Sequence, residues 1–219
     1  NELGQALIRH KYMFKFGDAL RPGNLFDYFL QRQEKGVLAA REILIAILKS
    51  MGEIWPDGSW VDSIAIGDAA YHEAVKRSDI TDRIVPFHKL SQWMSYSLIE
   101  PLQLAGIKII HLDALTGLAE YRNGGLFIDT GTISLRDQTE METLHDPKSP
   151  LIVEWRALTV TLLDQLAEQI RQHTNTSSES MPLVSILQGG TWSAGRRIAQ
   201  RLRSDSSPPL RLKSRGTIF

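Results

Sequence analysis

The sequence predicts a mainly α fold, a multi-helix globular domain with a few short extended segments, and three observations carry that expectation. The run after Pro150, LIVEWRALTVTLLDQLAEQIRQH, is apolar almost all round over its first sixteen residues, as the buried spine of a helical domain would be. Leu38, Ile43, Leu44, Ile47 and Leu48 recur at helical spacing and mark a second buried stripe. The extended pieces are brief: 107–111 alternates only weakly, and 126–129 spans four residues.

Composition bounds the rest. With 219 residues and 42% hydrophobic content the chain can bury a substantial core, and 1–219 reads as one helical domain. The first residue, Asn1, already lies inside a helical pattern, which suggests the C-terminal part of a longer protein whose missing N-terminal part is a partner of this one. Lys plus Arg equals Asp plus Glu at 25 each, which argues against a nucleic-acid surface or an acidic-membrane binder. There is no cysteine, so disulfides and thiolate chemistry are excluded. The histidines are scattered with no pair at i, i+4, so neither a metal nor another cofactor is expected. No run of about 18 apolar residues and no signal peptide occur, which reads as a cytoplasmic enzyme or binding protein.

In chain order, a rough helix over 3–16 is broken by Arg21-Pro22-Gly23. Asn24 can cap a helix running to about residue 35, and a second helix over 37–50 follows Gly36. Trp55 and Trp60 flank a turn as core anchors. His72 stands on a short helical stretch as a weak candidate. Pro86 suits the first position of a helix over 86–100, on which His88, Gln92 and Ser95 share a face, as do Lys89, Gln92 and Tyr96. These groups can donate to a phosphate or hydroxyl, although a Lys89 surface ion pair is the plainer reading. Residues 136–150 read as a surface loop. Inside the helix over 150–173, Glu154 and Arg156 require partners, because an unpaired buried charge costs on the order of 3 kcal/mol or more: either they pair structurally, the simpler reading, or one of them lines the pocket. After a linker at 174–180, Pro182 opens a short helix that Gly189 and Gly190 end, and Thr191 caps another to about residue 203. A second linker at 204–209 leads into an extended tail over 210–219.

The functional centre is expected at 112–129, LDALTGLAEYRNGGLFID. Asp113 can cap a short helix, and Glu120, Tyr121, Arg122 and Asn123 arrive together before Gly124 and Gly125. Two glycines after a short helix would turn the chain and hold those side chains at a helix end facing a cavity. A buried Glu120–Arg122 structural pair with a glycine stop is the plainer alternative.

VPFHKLSQWMSYSLIEPL, LDALTGLAEYRNGGLFIDTG, EWRALTV and LQGGTWSAGRRIA, in that order, resemble the uracil catabolism protein 4 family, a domain of unknown function. The resemblance covers nearly the whole chain and implies a role in degrading uracil through a ribosylated intermediate. FHKLSQ and LDALTGLAEYR also look distantly like the FYKRAQ and LT-x-FADYR motifs of queuosine salvage proteins, N-glycosidases with a helical fold like that of DNA glycosylases. Matched by position, this second resemblance implies that Lys89 and Gln92 bind substrate and that Glu120, Tyr121 and Arg122 take the places of an Asp-Tyr-Arg set, with Glu120 as the catalytic carboxylate. Glu for Asp, and Asn-Gly-Gly in place of an apolar continuation, change the reach and the recognition of the base.

Breaking a ribosyl C–N bond builds positive charge on the sugar, which a carboxylate beneath the anomeric carbon stabilises or attacks. Glu120 is assigned that role, with Asp113 or Asp129 holding water or the ribose hydroxyls. Lys89 and Arg122 would grip a 5′-phosphate, His88, Gln92 and Tyr121 would orient the substrate, and Asn123 would meet a departing urea. The expected activity is therefore hydrolysis of the N-ribosidic bond of a ribosyl-urea compound or its 5′-phosphate. Ribosyl transfer to or from a pyrimidine and a non-catalytic binding role in the same pathway are the alternatives.

Overall fold

The structure, a computed structural model, describes residues 2–213. Its helices are α1 (Glu2–Arg9), α2 (Lys11–Phe14), α3 (Leu25–Leu30), α4 (Ala40–Met51), α5 (Lys89–Leu104), α6 (Tyr121–Asp129), α7 (Pro150–Thr174), α8 (Leu183–Ile186) and α9 (Ser193–Leu202). The strands are β1 (Lys15–Phe16), β2 (Ala19–Leu20), β3 (Val37–Ala39), β4 (Ser59–Val61), β5 (Ile64–Gly67), β6 (Ala69–Tyr71), β7 (Ile84–Pro86), β8 (Lys108–Ile110), β9 (Leu144–His145) and β10 (Arg211–Leu212). The strands join only in twos, so the fold is mainly α, as the sequence predicts. No helix among the described residues is long and apolar enough to cross a membrane.

The described chain forms two compact units, residues 2–68 with 90–115, and residues 69–89 with 116–213. In the first, α4 buries Ala40, Ile43, Ala46, Ile47 and Ser50, the i, i+3, i+4 stripe of a helix with one face inward. Burying Ile43 and Ile47 completely contributes about 1.5–3 kcal/mol each. Ser50 stays in that face because its hydroxyl donates to the Ala46 carbonyl at 2.7 Å. Residues 37–39 are not helical as the periodicity suggests: they form β3, which runs parallel to β8 with Leu38 opposite Ile109. Asn24 does not cap α3 with its side chain. It is buried and donates to the carbonyls of Phe14 and Ala19, both at 2.9 Å, tying the β1–β2 hairpin to α3. Arg9 and Glu53 pair at 2.7 Å.

Helix α5 begins later and ends later than its proline spacing implies. Pro86 pairs with Ala69 at the end of the antiparallel β6–β7 ribbon, which also makes 69–71 a strand rather than the expected helical stretch. His88 then adopts φ 52°, a left-handed turn no α-helix contains, so the helix starts at Lys89. At the other end α5 continues through Pro101, and the Ala105 amide donates to the Pro101 carbonyl at 3.1 Å. A proline this close to a C-terminus removes one amide and leaves the last turn in place.

The second unit is built on α7, whose N-terminal Pro150 sits at the first turn, where a missing amide costs nothing. Its inward stripe is Ile152, Val153, Trp155, Arg156, Thr159, Leu163 and Ala167, while Glu154 and Leu158 face solvent. The spine is thus buried along one face, not all round. Ile152, Trp155 and Leu210 form one apolar cluster, with Tyr121 and Ile128 against it. Ala70, Phe87, Ala119 and Val153 form another. The tail joins as β10, parallel to β9, so 144–145 is a strand within the expected loop. The expected extended tail lies outside the described residues beyond 213.

Both glycine pairs are used differently from the turns they suggest. Gly124 and Gly125 lie inside α6, which also absorbs 126–129, expected to be extended. A Cβ on Gly124 would meet Thr159 Oγ1 at 2.7 Å and Trp155 Nε1 at 2.8 Å, so α6 and α7 touch there only because the residue has no side chain. Gly189 and Gly190 lie in a π-helical segment, 187–192, that links α8 to α9 without a hairpin.

Candidate functional site

The Glu120 amide closes a tight turn onto the Leu118 carbonyl at 2.9 Å, and Glu120 itself, with φ −127° and ψ 160°, is the N-cap of α6. One carboxylate oxygen accepts from the Arg122 amide at 2.8 Å and the other from the Asn123 amide at 2.6 Å. Side chains shorter than glutamate are the usual caps, so Glu120 folds a longer arm back to reach both amides. Burial raises the Glu120 carboxyl above the ordinary glutamate range, against the opposing pull of those two amides, of Lys89 and of Arg122.

Lys89, only 6% exposed, is the cation whose field reaches Glu120 most strongly. Arg122 sends Nη1 to the Ser206 carbonyl at 2.8 Å and lies 4.9 Å from the centre of the Tyr121 ring. Tyr121 itself packs in the apolar cluster around Trp155. Asn123 is fully buried: its amide nitrogen donates to the Leu118 carbonyl at 3.2 Å, and its Oδ1 accepts from the Thr191 hydroxyl at 2.8 Å. Thr191 therefore does not cap a helix as expected but fastens the π segment to the first turn of α6.

The structure brings Glu120, Lys89, Arg122 and Asn123 of the expected set into one neighbourhood. It does not bring Asp129 there. Asp129 ends α6, so it stands about 13 Å along the helix axis from Glu120. It is held by Arg203 through two contacts, Nη1 to Oδ1 at 2.8 Å and Nη2 to Oδ2 at 2.5 Å, with the carboxylate 3% exposed. Asp113 lies in the other compact unit, exposed on a single 3₁₀ turn. That turn is entered through His111 at φ 55° and carries no side-chain cap, so the capping expected of Asp113 does not occur. Gln92 also belongs to the other unit, one turn into α5, and is buried, as are Ser95 and Tyr96. The polar face of α5 is inward, which is why it lacks the Glu and Lys of a solvated face. His88, outside the helix, no longer shares that face.

Glu154 and Arg156 do not pair. Glu154, 59% exposed, meets His72 Nε2 at 3.2 Å. Arg156 is 1% exposed, donates from Nε to the Ala119 carbonyl at 3.3 Å, and stacks 4.0 Å from the centre of the Phe87 ring. Arg156 stands out in the sequence as a charge inside an apolar run that pairs or lines a pocket, whereas nothing in the sequence marks Thr191 as a neighbour of this cluster.

Fold and cluster define a mainly helical protein with a buried, amide-bound glutamate next to a lysine and an arginine. The chain belongs to the family described as Protein of unknown function (DUF1688), whose model matches residues 1–219. Uracil catabolism protein 4 of Lachancea kluyveri is 36% identical to it over 244 residues, covering 99% of this chain and 54% of that protein. Protein urg3 of Schizosaccharomyces pombe is 42% identical over 169 residues, covering 76% of this chain and 41% of that one. The chain thus spans about half the length of the curated relatives it matches. No solved structure matches it.

Proposed function

We propose that the chain serves uracil catabolism, as the name of its Lachancea relative suggests, and that it hydrolyses the N-ribosidic bond of a ribosyl-urea compound or its 5′-phosphate. The observation that carries the reading is the Glu120 carboxylate, buried, fixed at both oxygens and set near two cations. In the reaction the C1′–N bond breaks and its electron pair stays on the urea nitrogen, which takes up a proton. Water adds to C1′ and gives the other proton up. Glu120 stabilises the positive charge that develops on the ribose, and its fixed oxygens need no reorganisation as that charge appears. Lys89 and Arg122 supply positive charge for a 5′-phosphate, and Lys89 also favours the ionised form of Glu120.

The same residue has a purely structural reading as a helix cap, and two substitutions separate the readings. Urea and ribose (or ribose 5-phosphate) release from ribosylurea and its phosphate is measured for wild type, Glu120→Gln and Glu120→Asp, alongside thermal stability. Asp is a good N-cap, so Glu120→Asp keeps α6 capped while withdrawing the carboxylate by about 1.5 Å, a displacement that costs on the order of 100-fold in rate. Release falling by that factor in Glu120→Asp and vanishing in Glu120→Gln, with melting unchanged in Glu120→Asp, supports hydrolysis. No release by the wild type from either compound refutes it.

A further inference from the structure

Arg156 heads the fully buried side chains by volume, and a guanidinium so placed is held by its partners or not tolerated. Two of its contacts lead to the candidate site from opposite directions. The Ala119 carbonyl, which accepts from Nε, belongs to the residue immediately before Glu120. The Phe87 ring beneath its guanidinium lies two residues before Lys89. The preceding residue of α7, Trp155, donates its indole N–H to the Gly124 carbonyl at 3.0 Å, four residues beyond Glu120. Consecutive residues of one helix therefore hold the chain on both sides of Glu120, and Arg156 also holds the segment that carries Lys89.

We propose that Arg156 is a positioning residue that sets Lys89 against Glu120 by gripping the Ala119 carbonyl and the Phe87 ring at once. A guanidinium can do both because it is planar: its face lies on the ring while an edge N–H points along the plane to the carbonyl. A lysine ammonium keeps the charge but is a point with no face, so it cannot make both contacts in one geometry. The catalytic meaning of this arrangement rests on the reading of Glu120 given above. The arrangement itself is testable without turnover.

The test follows the Glu120 carboxyl by NMR titration of ¹³C-labelled glutamate side chains, its resonance assigned by its loss in Glu120→Gln. Arg156→Lys and Phe87→Leu are compared with wild type; the second keeps apolar bulk and remains informative should the first not fold. If Arg156 sets the Lys89–Glu120 approach, loosening either contact weakens the attraction of Lys89 and moves the Glu120 titration upward by about half a unit or more. A lower melting temperature with the titration unmoved means that Arg156 only fills and pairs, and overturns the proposal. Release assays on the same samples keep the two claims apart. An inactive wild type sinks the hydrolase reading while the titration still decides the positioning, and an active enzyme with an unmoved titration sinks the positioning alone.

Discussion

The contact between α6 and α9 gives a sharp expectation for Gly195→Ala. A Cβ at Gly195 would stand 2.9 Å from the carbonyl carbon of Arg122 and 3.5 Å from its Cα, and nearer still to the carbonyl oxygen. Carbon contacts settle at about 3.5–4.0 Å, so the two helices must part by on the order of 1 Å. What stands in the way is backbone, which has no rotamer to move aside. Alanine favours the helix by about 1 kcal/mol over glycine, and overpacking costs about 1–3 kcal/mol or more. The backbone obstacle places this case at the upper end, so the net loss is about 1–2 kcal/mol, or ~2–8 °C in melting temperature for a chain of this size. Gly189→Ala is the internal control, because nothing lies within 4 Å of its added Cβ, and its melting temperature should hold or rise slightly. Thermal unfolding followed by circular dichroism measures both. A Gly195→Ala protein as stable as wild type would refute the close crossing. It would also remove the reason for the position of the Arg122 carbonyl, two residues beyond the Glu120 cap.

Two further outcomes follow from the charges. Asp129→Asn leaves the part-buried Arg203 guanidinium without its carboxylate and should cost about 1–3 kcal/mol in urea unfolding. Combined with Arg203→Met, the double variant should lose less than the sum of the singles, and strict additivity would show that the pair contributes nothing. The raised carboxyl of Glu120 makes stability depend on pH in a definite direction. The folded protein holds that proton more tightly than the unfolded chain, so the contribution is fully present below the unfolded value near 4.5 and is lost as pH rises through the higher folded value. Stability of wild type relative to Glu120→Gln should therefore decline from pH 4 upward; a difference that grows with pH would show that the fold favours the ionised form.

The parts of the fold legible in the sequence are those whose causes are local. Helix α7 announces itself by Pro150 at its first turn and by twenty residues of helical pattern, and it stops where Asn175 turns left-handed at φ 53°. Glu120 and Lys89 stood out because charged residues gathered where solvation did not call for them. Glycine and proline are less legible because each permits two structures and a distant neighbour chooses between them. Gly124 could have ended α6, but the Trp155 indole and the Thr159 hydroxyl, more than thirty residues on, require a bare backbone inside it. Pro86 could have opened α5, but Ala69 captures it in a strand, and His88 then takes the turn.

The charges in α7 show where a local argument was available and sufficient. Residues two apart on a helix point about 200° away from each other, so Glu154 and Arg156 could never both face inward and pair. Given one buried face, one of them had to meet solvent and the other had to find its partners on another segment. The apolar residues around position 156, Ile152, Val153, Trp155 and Leu163, say which: they lie on the buried side, so the arginine goes in and the glutamate out. What the sequence could not supply is that Ala119 and Phe87 are among its partners, since both lie more than thirty residues away and neither carries a charge. A buried arginine that meets a carbonyl and a ring leaves no trace of those two contacts in charge pairing. It is therefore the kind of residue on which the geometry of a site can depend while composition and spacing remain silent about it.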